Sequence, residues 1–289
     1  MTTVEHLSRP QGRIAWTSIG AGPLVVLVPG MGDLRGTWRG LAEPLAAAGH
    51  RVVATDLRGH GDSDTTFTTH GDASTGGDVL ALVDHLDAGP AVLVGSSMGG
   101  SAALWAAAER PDLVAGLVLV SPFLDEPVAR PAARAVQRAV YRALFARPWG
   151  ARVWAAYYRG PLHHGAPTPW LTEHVAAVRA ALRDPARLRS LRDLATQLDH
   201  RVVGARLDEV VAPALVLIGE SDPDFRDVPA ELERARGVLG ARAVSVPNAA
   251  HYAHHQAPVL VLEHTMALLG DLPRTGDRWL APAPRAAGA

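Results

Sequence analysis

Three residues in this chain have the side chains and the spacing that nucleophilic acyl transfer requires. Ser97 is the centre of Gly95-Ser96-Ser97-Met98-Gly99, a G-x-S-x-G pattern between an apolar run (Ala91 to Val94) and an alanine-rich segment (Ser101 to Ala108). Where a buried strand turns sharply into a helix, the apex residue is held in a strained conformation. Glycines two before and two after it let neighbouring backbone approach without a Cβ clash. The apex hydroxyl then projects above the strand ends, beside the positive end of the helix. An acid, Asp222 or Asp224, follows the apolar run Pro213 to Gly219 within Gly219-Glu220-Ser221-Asp222-Pro223-Asp224, and His251 lies in Asn248-Ala249-Ala250-His251-Tyr252. Nucleophile, acid, histidine is one of the chain orders in which serine triads occur. In such a set a neutral imidazole removes the serine proton, and the carboxylate fixes its tautomer and stabilises the imidazolium. The backbone N–H groups of Met31, just after Pro23 to Pro29, and of Met98 supply a two-donor hole for an oxyanion.

These residues require a frame, and the hydrophobic pattern provides one. Residues 13 to 19 alternate as a half-buried strand, whereas PLVVLVP (23 to 29), RVVATD (51 to 56), the run before Ser97, VAGLVLVS (114 to 121) and PALVLIG (213 to 219) read as strands. Helical stretches fall between them, at about 38 to 48, 72 to 86 and 101 to 108. Strand and helix in alternation imply a mostly parallel, doubly wound sheet, with reacting groups gathered at its carboxyl edge. The alternation stops from Glu126 to about Ala205, where helical patterns alone occur, such as PAARAVQRAVYRALF with Arg134, Arg138 and Arg142 four apart. It resumes with a helix at 228 to 239, a short strand at 242 to 246 and a closing helix at 259 to 269. The expected organisation is a core in two parts (1–124 and 206–270), a helical insertion (125–205) over the strand ends, and a poorly ordered Pro/Gly/Ala-rich tail (271–289).

The chain resembles the α/β-hydrolase superfamily over about residues 10 to 270. The resemblance is carried by Pro29-Gly30-Met31-Gly32, by Asp56-Leu57-Arg58-Gly59-His60-Gly61-Asp62-Ser63-Asp64, by the elbow at Ser97, by Gly219-Glu220-Ser221-Asp222-Pro223 and by Ala250-His251-Tyr252. It implies an α/β-hydrolase fold with a helical cap after the sixth strand. It also implies Ser97 as nucleophile, Asp222 as acid, His251 as base, and Met31 and Met98 as oxyanion donors. Pro29-Gly30 stands where many members have His-Gly, and Ala250 where a glycine is usual. Asp224 competes for the acid role, as does Asp125, because some members take their acid from the preceding strand.

The implied activity is hydrolysis of a carboxylic ester or thioester through an acyl-enzyme, with C–C bond or lactone cleavage on the same triad as alternatives. A ligand-binding protein without turnover, built on the same fold, is the alternative from outside enzymology. A serine at the elbow argues against alkyl-enzyme chemistry. Substrate choice depends on the cap, where Trp149, Trp154, Tyr157, Tyr158 and Trp170 could line a pocket for a hydrophobic or aromatic acyl group. The cap arginines would attract an anionic substrate or serve as a solvated helix face.

Composition excludes much else. At 289 residues and 48% hydrophobic, the chain can bury a large core. Its net charge of −1 implies no nucleic-acid partner, and it has no cysteine for disulfides, thiolates or zinc. Neither an apolar leader nor an 18-residue apolar run is present, so a cytoplasmic protein with a small-molecule substrate and no membrane association is expected. No metal or cofactor is expected. His251, His254 and His255, like His163 and His164, lack carboxylates at ligand spacing. Asp56, Arg58, His60 and Asp62 are expected to brace a tight loop.

Overall fold

The computed structural model describes residues 3–127 and 130–283. The apolar runs form strands buried along their whole length, because helices cover both faces of the sheet. Its eight strands are β1 (Glu5–Arg9), β2 (Gly12–Ile19), β3 (Leu24–Val28), β4 (Arg51–Thr55), β5 (Ala91–Ser96), β6 (Val114–Val120), β7 (Ala214–Gly219) and β8 (Arg242–Val246). Their spatial order is β1-β2-β4-β3-β5-β6-β7-β8. From β4 to β8 every pair is parallel, while β2 pairs antiparallel with both β1 and β4.

The core contains α1 (Arg39–Ala47), α2 (Asp72–Leu86) and α3 (Met98–Glu109), and after β7 it adds α9 (Val228–Leu239), α10 (Ala253–Gln256) and α11 (Pro258–Asp271). Strand alternation divides the packing into two layers. Leu24, Val26 and Val28 of β3 join Leu82 of α2, Leu104 of α3 and Leu232 of α9. Val25 and Leu27 face the other way, onto Leu41 and Leu45 of α1 and Val261 and Leu268 of α11. Between β6 and β7 lie α4 (Pro131–Leu144), α5 (Gly150–Arg159), α6 (Leu171–Ala181), α7 (Pro185–Gln197) and α8 (Arg201–Gly204), with no strand among the described residues. These cap helices have a core of their own, including Trp154, Tyr158, Val178 and Leu191, which reaches the main domain through Tyr252. No helix among the described residues is long and apolar enough to cross a membrane.

Two regions differ from the sequence reading. The first strand, β1, precedes the alternating segment and pairs with it in register from Glu5–Trp16 to Arg9–Gly12. The expected poorly ordered tail is instead packed over much of its length. Arg274–Thr275 and Arg278–Trp279 form a short hairpin, and the buried Trp279 donates its Nε1 proton to the Leu24 carbonyl at 3.0 Å while stacking on His50. Residues 284–289 of that tail lie outside the described residues.

Candidate active site

Ser97 follows β5 and caps α3 with φ 52° and ψ −127°, a region that a residue with a Cβ rarely occupies. The surrounding backbone enforces this conformation. The Ser97 N–H donates to Val120 O at 2.8 Å, and its carbonyl accepts from Gly100 N at 2.9 Å and Ser101 N at 3.1 Å. The spacing of the flanking glycines follows from contact. A Cβ on Gly95 would stand 2.4 Å from the Gly99 carbonyl oxygen, and one on Gly99 would stand 2.4 Å from the Val28 and Pro29 carbonyl oxygens.

Asp222 leaves the end of β7 and His251 the loop after β8, and the two meet at the carboxyl edge of the sheet. Their loops are joined by Glu220 N to Val246 O at 3.0 Å and Ser221 N to Ala249 O at 2.9 Å. His251 Nδ1 donates to both Asp222 oxygens, at 2.9 and 3.0 Å. Burial works against a charged imidazole here, but the Asp222 and Asp224 carboxylates outweigh it and raise His251 to about 9. Burial likewise opposes ionisation of Asp222, yet the facing imidazole holds its pKa below the usual value. With Nδ1 committed, Nε2 is the nitrogen left for the cavity, whose wall His251 shares with Ser97. No hydrogen bond joins the Ser97 hydroxyl to His251 among the described residues; in a free enzyme such contacts are often long.

The competing acids separate clearly. Asp224 Oδ2 is 3.4 Å from His251 Nδ1, farther than Asp222, and its N–H donates to Asp222 at 3.0 Å. Asp125 does not reach the histidine; it pairs with Arg234 at 3.4 Å. Asp222, Asp224 and His251 are also the one group of acidic and histidine ligand atoms among the described residues to cluster within 4.8 Å, and that cluster is this hydrogen-bonded pair with its neighbour.

Met31 and Met98 line the same cavity, and neither amide donates to a backbone acceptor among the described residues. The loop that carries Met31 is gripped from both sides. From the core, Gly32 N–H donates to His60 Nε2 at 3.2 Å, while His60 Nδ1 donates to Arg58 O at 2.8 Å. Burial lowers the His60 pKa to about 4, which keeps Nε2 an acceptor. From the cap, Trp154 Nε1 donates to Gly32 O at 2.8 Å, and Tyr158 OH and His174 Nε2 donate to Asp33 at 2.8 and 2.6 Å. The rest of the Asp56-to-Asp64 motif is scaffold. Asp56 is buried against Arg35, which also reaches Asp62 at 2.6 Å, and Arg58 clamps Asp78 at 2.5 and 2.8 Å.

The cavity holds about 670 Å³. Of the five cap aromatics expected to line it, Trp154 and Tyr157 do. Tyr158 lies beneath them on Asp33, Trp149 is exposed with Nε1 on Ala143 O, and Trp170 packs against His255 and Arg39. Phe123, Tyr141, Phe145 and Tyr252 complete the aromatic wall, with Glu126, Gln137 and His200 among the polar residues. The sequence signal for Phe123 is its place in the loop that leaves β6, three residues past Val120, where a side chain meets the strand-end cavity. Behind this wall His163, His254 and His255 bond to one another or to neighbours. His163 Nδ1 donates to Tyr158 O at 2.8 Å, its Nε2 meets His255 Nδ1 at 2.8 Å, and Thr37 Oγ1 lies 2.6 Å from His255 Nε2 and 3.2 Å from His254 Nε2.

Comparison with known proteins agrees with this architecture. Residues 23–258 match the family described as the alpha/beta hydrolase fold. An epoxide hydrolase of Caballeronia sordidicola is 41% identical over 98 residues, which are 33% of this chain and 30% of that protein. A mitochondrial palmitoyl-protein thioesterase of Bos taurus is 35% identical over 129 residues, 43% of this chain and 42% of that protein. The chain thus spans less than half the length of these curated relatives. A solved thermophilic esterase from Thermogutta terrifontis superposes with a TM-score of 0.76 at 25% identity, covering 93% of this chain and 98% of that one.

Proposed function

This chain belongs to the α/β-hydrolase fold family, and on that premise we propose that it is a serine hydrolase that cleaves a carboxylic ester or thioester through an acyl-enzyme. The observation that carries the reading is the His251–Asp222 hydrogen bond in the wall of the cavity onto which the strained Ser97 opens. Ser97 Oγ attacks the acyl carbon as His251 Nε2 takes its proton. Asp222, bonded to Nδ1, holds the ring and stabilises the imidazolium. The Met31 and Met98 amides stabilise the oxyanion, an interaction worth about 3–4 kcal/mol per donor in comparable sites. Collapse of the tetrahedral intermediate expels the alcohol or thiol, which receives the proton from His251. Water, deprotonated by the same imidazole, then releases the carboxylic acid. Alkyl-enzyme opening of an epoxide requires a carboxylate where Ser97 stands, so the likeness to an epoxide hydrolase does not extend to its chemistry.

A fluorophosphonate should label Ser97 stoichiometrically. Ser97→Ala should abolish the label and reduce hydrolysis of a short p-nitrophenyl ester by on the order of 10³ or more. Absence of both labelling and turnover in the native chain would replace this reading with ligand binding without catalysis.

A further inference from the structure

The cavity carries more negative charge than one acid–base pair supplies. Among the described residues two carboxylates line it, Asp224 and Glu126, and no arginine does, although the chain has 28 basic residues, all arginine. Helix α4 shows the segregation. Gln137, Tyr141 and Leu144 face the cavity, whereas Arg138 and Arg142 do not, and the buried Arg134 is paired with Glu126 at 3.1 Å and Asp199 at 2.9 Å. The Glu126 charge is therefore offset. Asp224 has no such partner: its sole ion-pair contact among the described residues is His251 at 3.4 Å, and that imidazole is already bonded to Asp222 at 2.9 Å.

Asp224 is nevertheless held in place. Tyr157, from cap helix α5, donates its hydroxyl to Asp224 Oδ1 at 3.0 Å. Burial and the adjacent carboxylate push the Tyr157 pKa upward, so the hydroxyl remains a donor. A neutral hydrogen bond fixes the carboxylate at the wall without cancelling its charge.

We propose that Asp224 is a charge filter: the site takes esters or thioesters whose acyl group is apolar or ends in a cation, and rejects acyl groups that end in a carboxylate or phosphate. The proposal rests on the hydrolase reading above and names its substrate class. Two carboxylates facing one imidazolium leave one negative charge uncompensated near the reacting atoms. With its side chain 27% exposed, Asp224 is screened in part by solvent, and its charge repels an anion in the cavity more than it would in free solution. The aromatic residues that line the wall, Phe123, Tyr141, Phe145, Trp154 and Tyr252, carry no cationic group to hold an anion, and aromatic rings favour a cation. The basic outer surface of the cap, which could have drawn in anionic substrates, does not reach into this cavity.

The test compares kcat/KM for three p-nitrophenyl esters of equal acyl length, ending in a methyl, a trimethylammonium or a carboxylate group. The native chain should turn over the carboxylate ester on the order of tenfold to a hundredfold more slowly than the methyl ester, and the trimethylammonium ester at least as fast. Asp224→Asn should bring the carboxylate-to-methyl ratio to within about threefold of one, whatever it does to absolute rates, and Tyr157→Phe should leave the ratio low. Equal turnover of the anionic and neutral esters by the native chain, or an unchanged ratio in Asp224→Asn, overturns the filter. If no ester is turned over, the hydrolase reading fails by itself. The filter is then judged by calorimetry on three matching ketones, where the same order of affinity is expected and any other order rejects it.

Discussion

His251 and His254 are three residues apart, both buried, and their surroundings push them in opposite directions. His251 faces two carboxylates and keeps its proton up to about 9. His254 stacks on Trp38 at 4.4 Å among other imidazoles, and burial, which the more distant Asp33 only partly offsets, lowers it to about 3. Its neighbours behave alike: burial lowers His163 to about 4 and His255 well below the usual value. Desolvation acts on all of them, so the deciding variable is a carboxylate within hydrogen-bonding distance. One short segment thus separates an imidazole able to handle protons from imidazoles that serve as packing.

The largest expected effect tests this division directly. His251→Ala should lower ester turnover by on the order of 10³ or more with an unchanged far-UV circular dichroism spectrum. His254→Ala should do the reverse, losing about 2–4 kcal/mol of stability to the cavity it opens while kcat stays within about tenfold. Equal losses of activity in the two variants would break the comparison.

A smaller effect appears in stability against pH. In the unfolded chain an imidazole protonates near 6.5, whereas in the fold His60, His163 and His254 resist protonation down to about 4, 4 and 3. The stability that these neutral rings contribute above 6.5 is lost progressively as pH falls toward those values. His251 has the opposite sign: its contribution is complete below 6.5 and is lost as pH rises toward about 9. Thermal melts should therefore peak near pH 6.5, with His251→Gln flattening the alkaline side and His254→Asn reducing the acid-side slope. The smallest effect concerns rate. On the proposed mechanism His251 accepts the serine proton only when neutral, so kcat/KM should climb with pH through about 9. Asp224→Asn should move that limb to lower pH, since its carboxylate is one of the charges that raise the imidazole. An unmoved limb would assign the whole effect to Asp222.

Much of this was legible in the sequence because strand runs and strand-end loops obey strict local rules. Val25 to Val28 and Val92 to Val94 had to be buried on both faces, and the loops leaving the strands carried Ser97, Asp222 and His251. The cap follows no comparable rule. Trp154 and Tyr158 lie one turn apart on α5, and no periodicity shows that one lines the cavity and bonds Gly32 while the other lies beneath it and bonds Asp33. The C-terminal hairpin escaped notice because a single residue anchors it: Trp279 within Pro-, Gly- and Ala-rich surroundings, although Gly276-Asp277 was a fair turn signal. On sequence alone Asp224 is a rival for Asp222. Sequence spacing carries no information on whether two neighbouring carboxylates compete for one imidazole or share it.

The grip of the cap on Gly32 and Asp33 also limits how the cap can move against the core. Trp154, Tyr158 and His174 rivet three places on α5 and α6 to the loop that presents Met31. An outward movement of α5 and α6 would have to break all three of these bonds or draw the Gly32–Asp33 backbone along with the helices.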